Sequence, residues 1–351
     1  MTALKAELIA QIRANGPMNL AEYMTTCLLH PTHGYYTTKE AFGAEGDFIT
    51  APEISQMFGE LVGLALAQSW LDQGAPARFT LAELGPGRGT LMADALRATK
   101  AVPGFHDAAD IIMLEASPAL RAQQQKAVPG ARYIDSLAEL PNQPLYLIAN
   151  EFFDALPIRQ FQRDGAGWRE KRVGLKGDAL SFGLTDPTPQ EALSHRLDDT
   201  KDGDLVEVCS AAAPILSEIG TRITQHGGAA LIIDYGDWRS LGDTLQALSD
   251  HKTTDPLANP GQADLTAHVD FEALAQAAPC AHTRLTPQGV WLERLGITAR
   301  AQALAQNLGG AALDSHIAAH RRLTHPSEMG TLFKVLGLHP TGQPPPAGLE
   351  P

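Results

Sequence analysis

The sequence predicts an α/β fold built on a parallel sheet with helices on both faces, and three observations carry that expectation. Apolar runs at Leu81–Leu84, Ile111–Glu115, Tyr133–Asp135, Leu145–Asn150 and Leu231–Asp234 alternate with helix-like stretches, as strands buried on both sides do. The first run breaks on Glu83-Leu84-Gly85-Pro86-Gly87-Arg88-Gly89 and enters a helix, so unpaired backbone N–H groups and a positive helix end meet there. The first four runs close on a carboxylate or amide, at Glu83, Glu115, Asp135 and Asn150-Glu151. In a parallel sheet such strand ends line one crevice where the strand order reverses. Four of them in succession would be odd in a purely structural protein.

In chain order, residues 2–14 and 19–28 read as two short amphipathic helices separated by Asn15-Gly16-Pro17; the second stops before His30-Pro31, as helices do ahead of proline. The segment around Phe42, Phe48 and Ile49 is a loop polar at its turns yet apolar enough to lie over something. From Pro52 to about Asp72, Ile54, Met57, Phe58, Leu61, Leu64 and Ala65 mark a helix with one apolar face. Leu91–Thr99 is the helix after the first strand, and Ser117-Pro118 opens the helix after the second.

The stretch between the fourth and fifth strands is too long for one crossover helix. Turn residues Gly165, Gly167, Gly177 and Asp178 set off Trp168–Leu175 and Ala179–Leu184 as an inserted antiparallel meander, and 211–226 supply the crossover helix. Residues 249–268 read as a long polar loop and Phe271–Ala278 as a helix. His282–Leu285 and Thr331–Leu338 read as the last two strands, flanking a helical segment around 291–322. The proline-rich end Pro340–Pro351 is expected to fray. The resulting division is 1–75 for helices and a lid loop, 76–157 for the first half of the sheet, 158–228 for the insertion and crossover helix, 229–339 for the second half, and 340–351 for a flexible tail.

The chain has 351 residues and 44% hydrophobic content, enough for one large domain with insertions or two small ones. Its net charge of −13 argues against nucleic acid as the main partner and mildly against an anionic membrane. Cys27, Cys209 and Cys280 form no CxxC pair, which suits a reducing compartment and supports neither a disulfide framework nor structural zinc. The N-terminal MTALKAELIAQIRANG lacks a signal-type apolar run, and no window approaches the ~18 apolar residues of a membrane span. A soluble cytoplasmic protein without a targeting segment is expected. The oligomeric state is open, a homodimer included.

The glycine turn fits E-x-G-x-G-x-G, whereas a dinucleotide turn would more often be G-x-G-x-x-G with glycine where this chain has Thr90. Alone, the turn is equally compatible with no ligand. Together with Glu115, placed for ribose hydroxyls, and Asp135, placed for an adenine edge, it suits S-adenosylmethionine better than NAD. That cofactor's carboxylate suits the helix-start N–H groups after Gly87, and its ammonium suits Glu83. Phe152 and Phe153 could shield its sulfonium by cation–π contact, although core packing explains at least one of them.

Several blocks are similar to those of one family. Gly46-Asp47-Phe48-Ile49-Thr50-Ala51-Pro52-Glu53-Ile54-Ser55-Gln56, the glycine turn, Asn150-Glu151-Phe152-Phe153-Asp154-Ala155-Leu156-Pro157, Ile233-Asp234-Tyr235-Gly236 and Ala263–Phe271 occur in that order. Over about residues 18–338 the chain resembles the MidA family of class I S-adenosylmethionine-dependent methyltransferases, whose mitochondrial members assist assembly of respiratory complex I. Ala51-Pro52 stands where many relatives have Ser-Pro. The resemblance implies a Rossmann-like sheet of seven strands, the last antiparallel, with an N-terminal helical cap and the meander inserted between strands four and five. It also implies methylation of an arginine in a protein substrate, the 49-kDa-type subunit of complex I. Carried over, Glu83, Gly85, Gly87 and Glu115 bind the cofactor. Gly46, Asp47 and the rest of that loop, with Asn150 and Glu151, form the wall between cofactor and substrate.

A guanidinium is a poor nucleophile because it stays protonated with its charge delocalised. Carboxylates gripping two of its nitrogens would leave the third richer in electrons. Glu151 and Asp154 are the candidates beside the sulfonium, with Glu53, Asp234 or Asp264 across the cleft; His268 or a carboxylate could take the proton. No metal is expected: His316 and His320 have helical i, i+4 spacing but no third ligand nearby. Arg294, Arg300, Arg321 and Arg322 read as ordinary surface charge. A cofactor-binding assembly factor without turnover and a nicotinamide oxidoreductase on a similar sheet remain alternatives.

Overall fold

The computed structural model describes residues 2–38, 50–249 and 252–351. Its central sheet contains β1 Phe79–Leu84, β2 Ala109–Leu114, β3 Arg132–Ile134, β4 Leu145–Asn150, β5 Gly228–Asp237, β6 Ala281–His282 and β7 Phe333–His339. They run in the order β3-β2-β1-β4-β5-β7-β6, and the order reverses between β1 and β4. The first five are parallel, and β7 is antiparallel to both β5 and β6. The implied sheet with an antiparallel last strand is thus present. Short pieces at Val269–Asp270 and Thr286–Pro287 add to its margins.

The longer helices among the described residues are α1 Ala3–Asn15, α2 Leu20–Leu29, α3 Gln56–Asp72, α4 Thr90–Thr99, α5 Pro118–Ala127, α6 Ala212–His226, α7 Phe271–Ala277, α8 Gln288–Arg294, α9 Ile297–Ala305 and α10 Gly310–Thr324. Side chains alternate across a strand, and the two faces fill two cores. Phe79, Leu81, Tyr146, Ile148, Leu231 and Ile233 pack with α3, α4 and α8. Leu84, Leu145, Leu147, Ala230, Ile232 and Leu336 pack with α6 and α7. A third core joins α1 and α2 to the insertion.

The helix expected from Pro52 is divided. Ala51–Ile54 is a separate turn, and Ser55 breaks it with extended φ −160° and ψ 136° and caps α3 by accepting from Met57 N–H. Instead of one apolar face, α3 buries nearly all of its circumference, Glu60 included. Gly59 and Gly63 permit this: a Cβ on Gly63 would lie 2.6 Å from Ala95 Cα. Arg300, read as surface charge, reaches the buried Glu60 carboxylate together with Arg97.

The meander is present as Arg159–Asp164, Gly167–Lys176 and Ala179–Leu184, with turns at left-handed Gly165 and Gly177. Two further strands join it, Leu205–Val208 and the two-residue Met18–Asn19. The expected polar loop 249–268 instead contributes to a small sheet of Gln246–Ser249, Lys252–Thr253 and Asp264–Thr266. Strands of two to four residues leave no period in a sequence, and tertiary pairing decides them. Among the described residues no helix is long and apolar enough to cross a membrane.

Residues 340–351, expected to fray, pack back on the body. Trp291 Nε1 donates to Ala347 O at 3.0 Å, Arg284 N–H donates to Glu350 O at 2.8 Å, and Leu349 is only 6% exposed. Leu349→Ala is therefore expected to lower the unfolding free energy by about 2–4 kcal/mol, measured by urea denaturation. A loss below about 0.5 kcal/mol, the usual effect at a solvated site, would contradict the docked tail.

Candidate active site

The glycine turn is held from both sides. Gly85 N–H donates to Leu114 O at 3.0 Å, which ties the turn to β2. Gly85, Gly87 and Gly89 have φ of 59°, 52° and 82°, a region that side-chain-bearing residues avoid. A Cβ on Gly85 would stand 3.0 Å from the Phe152 ring. Gly89 starts α4 without a side-chain cap. Fully buried Gln124 of α5 donates to Gly87 O at 2.7 Å and to Glu115 Oε2 at 3.1 Å. Sequence reasoning missed this brace; its one trace is a polar residue four after Leu120 on the buried side of α5.

Glu83 lies beneath the turn, 3% exposed. Met92 N–H bonds its carboxyl, burial pushes it up to about 8, and the Glu115 charge adds to that push. Its Oε2 has no hydrogen-bond partner among the described residues, although it borders a small crevice with Gly85, Gly87, Asn150 and Glu151. Glu115 stands next to the turn and accepts from Ser117 N–H at 2.8 Å. Asp135 is exposed and pairs with Arg121, which also donates to Glu115 O; it is not among the residues lining the crevice. Gly46, Asp47, Phe48 and Ile49 lie outside the described residues.

Glu151 borders the same crevice and begins an acidic wall that runs inward to Asp154, which does not line it. Glu151 adopts left-handed φ of 49° and accepts from Ala51 N–H at 3.1 Å and Asn150 Nδ2 at 3.3 Å. Burial first, then the Asp154 charge, push it up to about 8 against the pull of those donors and of Arg322. Asp154 is buried and raised by that burial, with Tyr235 hydrogen-bonding its carboxylate. Its Oδ1 and Asn150 Oδ1 have no partner among the described residues. Asp264, also buried, takes the Tyr36 hydroxyl on both oxygens at 2.9 and 3.0 Å. His268 stands edge-on to Tyr235 at 5.4 Å and is kept below its usual pKa by burial and by Lys334.

Two other carboxylates are engaged within the protein. Asp234 Oδ2 receives the N–H groups of Phe152, Phe153 and Asp154 at 3.2, 3.0 and 3.2 Å, and Oδ1 receives that of Tyr235 at 3.0 Å. Glu53 accepts from Thr90 Oγ1 and lies 3.6 Å from Arg88, so it joins the turn Ala51–Ile54 to the glycine turn. Phe152 sits against Gly85 and meets Phe153 edge-to-face at 5.2 Å. His316 and His320 lie far along the chain on α10, facing Ala301 O and Thr298 Oγ1.

The raised carboxyls have a consequence for stability. The folded protein binds more protons than the unfolded chain between the ordinary glutamate value of 4.5 and about 8 at Glu83 and Glu151. Their contribution to stability is therefore present at low pH and is lost as pH rises through that window. Glu83→Gln is expected to flatten the decline, read from urea midpoints at about pH 5 and about pH 8.5. Parallel pH profiles for the two proteins would refute it.

Comparison with known proteins gives this geometry a context. Residues 61–290 match a family described as putative S-adenosyl-L-methionine-dependent methyltransferases. The protein arginine methyltransferase NDUFAF7, mitochondrial, of Rattus norvegicus is 36% identical over 97% of this chain and 85% of its own length. The Homo sapiens protein of the same name is 36% identical, covering 97% and 84%. A crystal structure from Burkholderia thailandensis with S-adenosyl-homocysteine bound aligns with a TM-score of 0.82 at 29% identity, over 96% of this chain and 92% of that one. Both curated relatives are named as mitochondrial, which overturns the expectation of a cytoplasmic protein. The residues also fit the methyl donor: a buried carboxyl whose oxygen has no partner among the described residues suits an ammonium, and a helix start that no described side chain caps suits a carboxylate. The nicotinamide alternative falls, and the chain belongs to the S-adenosyl-L-methionine-dependent methyltransferase family.

Proposed function

We propose that this methyltransferase modifies an arginine of a protein substrate, and that the substrate is a subunit of respiratory complex I. The observation that carries the arginine is the concentration of acid beside the glycine turn: Glu151 and Asp154 are both raised, and Asp154 Oδ1 has no partner among the described residues. A cation is the ligand that relieves such a site. The relatives' name, protein arginine methyltransferase, supports the same reading. The complex I subunit rests on the family resemblance alone.

The donor supplies an electrophilic methyl group on a sulfonium; the remaining work falls to this chain's side chains. Glu83 and the N–H groups at the start of α4 would hold the donor's ammonium and carboxylate, and Glu115 would accept from its ribose. Glu151 and Asp154 would grip two guanidinium nitrogens, draw the positive charge onto them and leave the third nitrogen richer in electrons. As the guanidinium enters, the incoming charge brings the Glu151 pKa back down, and its proton passes to solvent water. Asp264 stands farther back, steadied by Tyr36. His268, held neutral, accepts the proton lost by the methylated nitrogen. Glu53 and Asp234 fix the elements that present these groups.

Glu151→Gln is expected to lower kcat about 100- to 1000-fold while S-adenosyl-homocysteine affinity by calorimetry stays unchanged. An equal loss of affinity would move Glu151 to the donor side of the cleft. The acceptor itself is tested by quantitative mass spectrometry of complex I arginines from cells with and without the protein. A methylarginine present only with the protein is the expected result, and its absence would sink the complex I assignment.

A further inference from the structure

Beside the acidic cleft lies a second cavity of about 130 Å³. It opens at the same end of the sheet, where the start of α6, the start of α7 and the segment after β4 converge. Phe153, Leu193, Val206 and Leu274 form its inner wall, each no more than 3% exposed. Its mouth is bordered by three exposed alanines, Ala192, Ala213 and Ala273, whose small side chains leave it open.

The charged groups around the cavity are engaged within the protein. Arg196 donates to Asp199 at 3.0 Å and to Ser240 O at 2.9 Å. Glu207 accepts from Gln160 at 2.6 Å and from Thr244 N–H at 2.9 Å. Asp270 accepts from the N–H groups of Ser240 and Ala273 at 2.9 and 3.0 Å. The Cys209 thiol is pushed up to about 11 by burial, so it stays neutral. A polar ligand would lose its water and gain little here, whereas an apolar one loses nothing.

Phe153, Ala267 and His268 of the lining also reach the acidic cleft: Phe153 directly precedes Asp154, Ala267 N–H donates to Asp154 O at 3.0 Å, and His268 abuts Tyr235, which holds Asp154. An apolar cavity of roughly 150 Å³ accommodates a benzene ring, so this one fits a leucine- or phenylalanine-sized side chain. Phe153 lines the cavity and Asp154 the acidic side, and neighbouring Cα atoms stand about 3.8 Å apart, so an extended peptide advancing about 3.3 Å per residue would reach both within roughly one or two residues.

We propose that this cavity is a specificity pocket for an apolar side chain of the protein substrate, roughly one or two residues from the arginine that enters the acidic cleft. This rests on the arginine reading above. The pocket makes the enzyme selective for arginines with a large aliphatic or aromatic neighbour.

Synthetic peptides with one central arginine, carrying leucine or serine in turn at each flanking position, test this by mass spectrometry of methyl incorporation. Leucine at one position is expected to raise kcat/KM about tenfold or more over serine. Ala213→Leu and Ala273→Leu, at exposed positions where leucine is nearly as good a helix former as alanine, plug the mouth and remove that preference. Both variants keep the wild-type rate on the serine peptide and the wild-type affinity for S-adenosyl-homocysteine. Equal rates for the leucine and serine peptides, or a preference that survives both plugs, would overturn the pocket. A complete absence of methylation would count against the arginine reading instead. The pocket is then read without turnover: N-acetyl-leucine amide should shift the Ala267 methyl resonance in the wild type and not in Ala273→Leu. No shift in the wild type would overturn the pocket on its own terms.

Discussion

One carboxylate oxygen in the second half of β5, on Asp234, gathers three consecutive backbone N–H groups from the turn after β4. Asp234 is wholly buried, and it holds Phe152, Phe153 and Asp154 in the fold that presents Glu151 at left-handed φ. That backbone conformation costs roughly 1–2 kcal/mol outside glycine, so the turn needs an external hold. Burial, Asp154 and Glu151 push Asp234 upward, while its N–H donors stabilise the charge. Remove the oxygen and three N–H groups, two of them buried, lose their acceptor together. The acidic wall, the ring of Phe152 against Gly85 and the partition formed by Phe153 all depend on this turn.

The same turn explains why the site accumulates strain of a different kind. Glu83, Glu151 and Asp154 are carboxyls that burial pushes upward, with Arg322 acting on Glu151 as a partial counterweight. A protein optimised only for stability would replace several of them with amides. Keeping them sacrifices folded-state stability for a cleft that favours cations, the usual relation between stability and function at an active site. The remote pairs Arg97–Glu60–Arg300 show the contrast, since there burial is matched by two guanidinium groups and Glu60 is held below the usual glutamate range.

The core strands were legible because β1, β4 and β5 are covered on both faces, and such burial leaves unbroken apolar runs. The meander was legible from its turn glycines, and the glycine turn from strand, glycines and helix in succession. What escaped were features made by contacts distant in sequence. The sheet containing Asp264–Thr266 consists of strands too short to show a period. The break at Ser55 depends on a hydroxyl finding Met57 N–H, and the docked tail depends on Trp291 and Leu349 meeting. Within the site, residue types were readable but their partners were not. Glu53 and Glu151 look alike in sequence; Thr90 engages the first, whereas Ala51 N–H and Asn150 leave the second acid and raised.

The single turn Ala51–Ile54 touches both halves of the cleft. Glu53 binds Thr90 at the start of α4, and Ala51 N–H binds Glu151 on the acidic wall. A molecule settling at the glycine turn and one settling at the acidic wall therefore meet the same short lever from opposite ends. Thermodynamic linkage makes such a relation reciprocal: whatever factor the first ligand adds to the affinity of the second, the second returns to the first. The order in which the two arrive then affects the route but not the stability of the assembled ternary complex.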